Sequence, residues 1–394
     1  MYSFYEFFAG GGMARMGLGP RWECIFANDC SAKKASAYTR NFPQDSPILL
    51  VEDVAKVKVS DLPGTPDLVW GSFPCQDLSL AGNGAGLQGE RSGVFWPFWN
   101  LVRGLQRSGR SPTIVVLENV EGILTSHGGN DFRALVKAVC NAGFRLGAVT
   151  VDAVHFLPQS RPRIFFVAVR QDGRIPNRLM LDDSNSVPEI DNWHSESLIT
   201  AHRALPNPLK SKWIWWRMSS PAKRRHSIQD LLEPESVVPW HSADATQRLL
   251  EMMSPLNIEK VKKAQKFGSP VVGTVYKRTR NGVQRAEVRF DGISGCLRTP
   301  GGGSSRQTIL SVRGKDIRSR LLSPREAARL MGIPDSYILP KNYNEAYHIA
   351  GDGLAVPAVA WIESQILSPL MESIKQNTPL GKTSTFETGE LAYA

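Results

Sequence analysis

Across the first 170 residues, short apolar runs alternate with stretches of helical periodicity, and this alternation constrains the fold more than any other feature. Residues 2–8, 22–27, 47–51, 67–70 and 113–117 read as strands. Residues 13–16, the Ala/Lys-rich stretch after Cys30, 95–105 and 132–142 read as helices, and 145–154 with 164–169 as a strand pair. Strands that alternate with helices build a doubly wound, mostly parallel sheet, an α/β fold. Such sheets place ligands beyond the carboxyl ends of their strands, so the residues just after each run are the candidates for chemistry.

The first run ends in Phe8-Ala9-Gly10-Gly11-Gly12. Glycines there let backbone N–H groups approach a ligand at a helix N-terminus, or simply make a tight turn. The pattern G-x-G-x-x-G fails, because Arg15 takes its last place, which counts against a nicotinamide enzyme. The second run ends in Asn28-Asp29. An acid there takes the two hydroxyls of a ribose or caps the next helix. Asp53, in Glu52-Asp53-Val54, suits an adenine amino group or is an ordinary loop aspartate. The fourth run stops at Gly71-Ser72-Phe73-Pro74-Cys75-Gln76. The proline fixes φ and holds the thiol on a stiff turn, as for a nucleophile; the alternative is a buried structural cysteine. The fifth run ends in Glu118-Asn119-Val120, which brings Glu118 to the same rim as Cys75. Residues 76–91, with four glycines, read as a mobile lid.

The chain has 394 residues, 42% of them hydrophobic, enough for two domains or one with a large insert. Its formal net charge of +10 favours a polyanionic partner, nucleic acid first, although a membrane surface fits too. Five cysteines without a C-x-x-C pair, and seven histidines without ligand spacing, argue against a disulfide framework and against a metal. No basic leader and no apolar run of 18 residues is present, so neither a signal peptide nor a membrane span is expected. From about residue 171 the pattern dissolves, and a basic region interleaved with Trp213, Trp215 and Trp216 follows, suited to phosphate contacts. Arg298 stands beside a glycine cluster that can approach base edges. Ser323-Pro324-Arg325-Glu326 is a helix start. A domain boundary is therefore expected near residue 172, and a frayed tail at the C-terminal end.

Several motifs stand in one order: Phe8-Ala9-Gly10-Gly11-Gly12, Phe73-Pro74-Cys75-Gln76, Glu118-Asn119-Val120, Gln159-Ser160-Arg161-Pro162-Arg163, Arg325-Glu326-Ala327-Ala328-Arg329-Leu330-Met331-Gly332, and a late Gly-Asp-Gly…Val-Pro. As a set they resemble the DNA (cytosine-5)-methyltransferase family over about residues 1–370. The resemblance implies an S-adenosylmethionine-dependent methyltransferase sheet with a smaller, irregular target-recognition domain: a catalytic unit (1–172 with 343–370), a recognition unit (173–342) and a flexible tail (371–394). It implies methylation of C5 of a cytosine flipped out of a specific duplex DNA sequence, within a restriction-modification or orphan modification system. By position, Cys75 corresponds to the covalent nucleophile and Glu118 to the acid on N3 and the amino group. Arg163 corresponds to the arginine that holds the base and supports Glu118, with Arg161 in the same run. Phe8, Ala9, Gly10, Gly12, Asp29, Asp53, Val54, Pro74 and Asp352 fall on cofactor positions, Phe8 against the adenine. Ser79, Gln88, Arg91, Arg298 and Thr299 fall on the DNA side.

Two departures stand out: Gly351-Asp352-Gly353 where the family reads Gly-Asn-x-Val, and Cys296-Leu297 where it often reads Thr-Leu. The implied partners are duplex DNA and, genetically, a cognate restriction endonuclease. The setting is a monomer in the cytoplasm of a prokaryote, or phage-encoded, with no membrane. Cytosine methylation of tRNA stays open, and so does an inactive DNA-binding regulator, although intact Cys75, Glu118 and Arg163 argue against the latter.

Overall fold

Leu68–Gly71 and Ile114–Asn119 are buried at every residue. An unbroken apolar strand needs cover on both faces, and helices supply it here. The computed structural model describes residues 1–74, 94–181, 187–280, 282–299 and 306–377. Within it β1 (Tyr2–Phe7), β2 (Trp22–Asp29), β3 (Leu49–Val51), β4 (Leu68–Gly71), β5 (Ile114–Asn119), β6 (Phe144–Asp152), β7 (Pro162–Arg170) and β8 (Trp213–Ile214) form one sheet. Its order is β3-β2-β1-β4-β5-β7-β6-β8. β1 to β5 pair in parallel, and β7 runs antiparallel to both β5 and β6.

Alternate residues of the central strands face opposite layers, as the pleat requires. Phe4, Leu68, Trp70, Ile114 and Val116 meet α1 (Met13–Leu18) and α2 (Ala32–Asn41) on one side. Tyr5, Phe7, Val69, Val115 and Leu117 meet α3 (Phe95–Arg107) and α4 (Asn130–Asn141) on the other. The large sheet extends beyond residue 172. Pairing of β8 with β6 brings in α5 (Glu196–Arg203) and α6 (Asn207–Lys210). Trp213, Trp215 and Trp216 are only 5%, 3% and 0% exposed, so these rings are core. The aromatic interleaving expected to face nucleic acid there is packing of a sheet edge.

A second, antiparallel sheet holds β9 (Val271–Arg280), β10 (Val283–Arg289), β11 (Thr308–Arg313) and β12 (Asp316–Leu321), in the order β10-β9-β11-β12. Val275, Ala286, Val288 and Leu310 form its small core beneath α7 (Ala243–Glu251) and α8 (Pro255–Ala264).

The chain returns through α9 (Pro324–Arg329), α10 (Tyr343–Asp352), α11 (Val356–Ile362) and α12 (Ser368–Asn377). The expected capping box is present: Ser323 and Glu326 exchange side-chain and backbone bonds. Tyr337 donates to the carbonyl of Gly11 at 2.9 Å, fastening this return to the glycine turn. Leu370 and Met371 are buried and α12 reaches Asn377, so the chain stays ordered beyond the expected start of the tail. By length and composition the run 343–376 would span a bilayer, but 56% of its most apolar window is buried, as in a core helix.

Candidate active site

β1 is followed on one side by β2 and β3, while β4 returns on its other side. Where the strand order reverses in this way a crevice opens at the carboxyl ends, here those of β1 and β4. Register sets what lines it. Phe7 pairs with Gly71 and Gly71 with Leu117, so Phe8, Ser72 and Glu118 emerge at one level. β7 runs the opposite way and Asn119 faces Ile164, so Arg163 enters at that same rim.

The glycine turn is shaped for a ligand. Phe8 has φ +58°, a left-handed conformation that non-glycine residues rarely take and that clusters at binding sites. Gly10 and Gly12 have φ +56° and +81°. A Cβ on Gly10 would meet nothing within 4 Å, whereas one on Gly12 would lie 2.4 Å from the Phe42 ring. The turn is thus packed behind and open in front. Asp29 braces it: one oxygen accepts from the Gly10 N–H and the other from the Ser31 N–H, both at 2.8 Å. That uses two of about four acceptor positions on the carboxylate and leaves the others for hydroxyls. The helix-cap alternative falls to Ser31, whose side chain accepts from Lys34 N–H. Asp53 is exposed and turns back to the Ala55 N–H at 2.9 Å. Val54 packs its side chain into the core. Pro74 is exposed at the end of the β4 loop.

Cys75, Ser79, Gln88, Arg91 and the expected lid lie outside the described residues. The residues that aim the thiol's loop do not. Asn119 donates to the carbonyl of Phe73 at 3.2 Å while its own oxygen accepts from Val120 N–H at 2.9 Å.

Glu118 is 7% exposed, and Arg163 Nε lies 3.4 Å from its Oε1. Burial pushes this carboxyl above the ordinary carboxylate range, against the pull of Arg163, Arg161 and a hydrogen bond from Ser72. Arg161 does not share that placement. It is buried, and its guanidinium donates to the carbonyls of Leu297 (2.9 Å), Gly351 (3.0 Å) and Gly353 (2.7 Å) and to Cys296 Sγ (3.3 Å). The expected catalytic arginine is therefore a tie between three segments. Gln159 is a second tie, taking the Leu297 N–H at 3.0 Å and donating to the Leu330 carbonyl at 2.6 Å.

Asp352 pairs with Lys34 at 2.9 Å and accepts from the Thr299 hydroxyl. Burial opposes ionisation there, yet Lys34 and Thr299 hold the carboxyl below its ordinary value. Thr299, expected on DNA, is engaged inward, whereas Arg298 is exposed. Sequence reasoning passed over Glu6. It is buried at the base of the turn, and burial pushes it up to about 8 against hydrogen bonds from Arg15 N–H and Tyr38. A lone acid in an aromatic strand was the available signal. Among the described residues no group of His, Cys, Asp and Glu could hold a metal.

The family model for C-5 cytosine-specific DNA methylases matches residues 2–368. The chain belongs to that family. It is 25% identical over 375 residues to the type II methyltransferase M.HhaI of Haemophilus parahaemolyticus, covering 93% of this chain and 94% of the relative. It is also 25% identical over 391 residues to the type II methyltransferase M.HpaII of Haemophilus parainfluenzae, covering 94% and 90%. Among solved structures, the S. pombe Dnmt2 methyltransferase superposes with a TM-score of 0.56 at 17% identity, covering 94% of this chain and 99% of that one. A putative DNA modification methyltransferase encoded within a prophage of E. coli gives 0.53 at 18%, covering 94% and 100%. These structural likenesses concern the fold. S-adenosylmethionine is the family's methyl donor and this enzyme's cofactor. The turn that opens over Gly10 and is braced by Asp29 fits a nucleoside.

Proposed function

We propose that this methyltransferase acts on duplex DNA, on a cytosine flipped out of the helix, through a covalent adduct on Cys75. The buried carboxyl of Glu118 at the crevice rim carries the reading. Carbon 5 of cytosine is a poor nucleophile. Addition of the Cys75 thiolate to C6 turns the ring into an enamine, dividing one hard step into two easier ones. Glu118 gives a proton to N3 as negative charge builds there, which requires the carboxyl to be neutral beforehand; burial favours that form. S-adenosylmethionine, when bound, would supply the methyl group from its sulfonium centre to C5, with the neutral thioether as leaving group. Loss of the C5 proton then restores the double bond, Cys75 departs from C6, and Glu118 recovers its proton from N3. Arg163 steadies Glu118 and the base.

On the cofactor side, Phe8 would face the adenine, the Ala9-to-Gly12 backbone would line the pocket, and Asp29 would take ribose hydroxyls. Asp53 and Pro74 would border the pocket, with Val54 contributing backbone. Ser79, Gln88, Arg91 and Arg298 would meet DNA. The target carbon is stacked inside a duplex, and extruding its base costs a few kcal/mol. A basic recognition lobe built on the antiparallel sheet, gripping phosphates, offsets that. The setting we infer is a monomeric cytoplasmic enzyme of a prokaryote or phage, in a restriction-modification or orphan system.

The test is tritium transfer from labelled S-adenosylmethionine to duplex DNA and to tRNA. Transfer to DNA by the wild type and none by Cys75→Ser is expected. Transfer to tRNA alone would replace this reading with the RNA one.

A further inference from the structure

The reaction as drawn makes no use of Cys296, yet this residue lies among its parts. Its sulfur is 3.3 Å from Arg161 Nη1 and also takes a hydrogen bond from Arg163. Arg163 in turn reaches Glu118, its Nε 3.4 Å from Oε1. The segment is held rigidly. Leu297 N–H binds Gln159, and Ser294 exchanges backbone bonds with Pro158 and Ser160.

The groups that face the sulfur are Arg161, just before β7, Arg163 of β7, Arg298 and, at 3.4 Å, the Leu297 carbonyl from its own segment, and Tyr347 from α10. Tyr347 is kept neutral, since burial raises its phenol. Glu118 lies beyond Arg163 on β5. Arg163 beside Glu118, and Arg161 through its charge, pull that carboxyl towards ionisation against its burial. The methylation step needs the opposite.

We propose that Cys296 is a positioning residue for methyl transfer: its sulfur, as a thiolate, is the counter-ion of the Arg161–Arg163 pair and leaves Glu118 able to keep its proton. Burial resists a thiolate at this position, but the arginines outweigh it and lower the thiol from its ordinary value. The role rests on the reading of Glu118 as the acid at N3, and the two measurements below separate the one claim from the other.

The first measurement uses no substrate. Ultraviolet thiolate absorbance is followed against pH in full-length Cys75→Ser and in Cys75→Ser with Cys296→Ser. Their difference isolates Cys296 and is expected to titrate below the ordinary thiol value of about 8.5. Titration at or above that value overturns the proposal. The second measurement is the pH profile of kcat for wild type, Cys296→Ser and Cys296→Thr, either of which suffices if the other folds poorly. A hydroxyl keeps the hydrogen bond but carries no charge. Activity is lost on the alkaline side as Glu118 ionises. Removing the thiolate therefore moves that limb to lower pH, by roughly one unit, with little change in KM. A merely structural role would lower activity at every pH without moving the limb, and superimposable limbs overturn the proposal. A wild type that methylates no nucleic acid would sink the catalytic reading, and the sulfur titration would then decide the counter-ion claim alone.

Discussion

Glu118 and Glu6 are both buried carboxyls with raised proton affinity, and they differ in what surrounds them. Glu118 stands at the carboxyl-end rim of the sheet beside Arg163, the place where the proposed reaction needs a neutral carboxyl. Glu118→Gln keeps the shape and removes the transferable proton. It should lower kcat by roughly 10²–10⁴-fold while leaving the thermal midpoint and DNA binding near wild type, as single-turnover tritium transfer would show. Glu6 is sealed beneath the glycine turn with Arg15 and Tyr38. Its folded value of about 8 lies above the unfolded 4.5, so between those limits the folded state binds the extra proton. Its contribution to stability is thus full at low pH and declines as pH rises towards 8. Urea midpoints of wild type and Glu6→Gln should diverge in the variant's favour from pH 6 to pH 8. Parallel midpoints would show that Glu6 keeps an ordinary affinity.

Elements place these groups through short polar ties. The end of β5 holds the end of β4 through Asn119 and the Phe73 carbonyl. Asn119→Ala frees the loop that carries Cys75. A shift of about 1 Å in a reacting group can lower the rate ~10²-fold, so kcat should fall towards that extent with S-adenosylmethionine affinity unchanged by equilibrium binding. At the edge of the antiparallel sheet, Arg320 of β12 meets Glu326 of α9 through two bonds of 2.6 and 2.7 Å, and both side chains are sealed from water. Glu326 also takes the N–H groups of Ser323 and Glu233, so three segments converge on one carboxylate. Arg320→Met leaves that charge buried without its partner and should destabilise by about 3–5 kcal/mol, measured by denaturant titration.

At the scale of the whole molecule, the seam between the two sheets is built from Gln159, Arg161 and the segment around Cys296. Gln159 is completely buried and both ends of its amide are engaged. Gln159→Leu orphans the Leu297 N–H and the Leu330 carbonyl, each at roughly 1–3 kcal/mol. It should lower stability and, on the proposed function, raise KM for DNA more than it lowers kcat, because the antiparallel sheet loosens while the crevice stays intact. An unchanged KM with a lowered kcat would place the seam's role in catalysis instead.

The sequence alone determined the alternation of strands and helices, the rim positions of Phe8 and Glu118, and the capping box at Ser323. Each depends on residues close together in the chain or on period-two and period-3.6 patterning, which are local properties. Only the tertiary structure decided what Arg161, Asp352 and the tryptophans do. Two arginines two residues apart look alike in sequence, yet Arg163 reaches Glu118 while Arg161 spends its donors on carbonyls 136 to 192 positions away. Asp352 is claimed by Lys34 and Thr299, which belong to distant elements. Trp213, Trp215 and Trp216 are core because β8 joins the sheet through β6, a pairing that no local pattern records. A side chain's partner is set by which distant segments the fold brings within about 4 Å, and that distance is written in the packing rather than in the neighbouring residues.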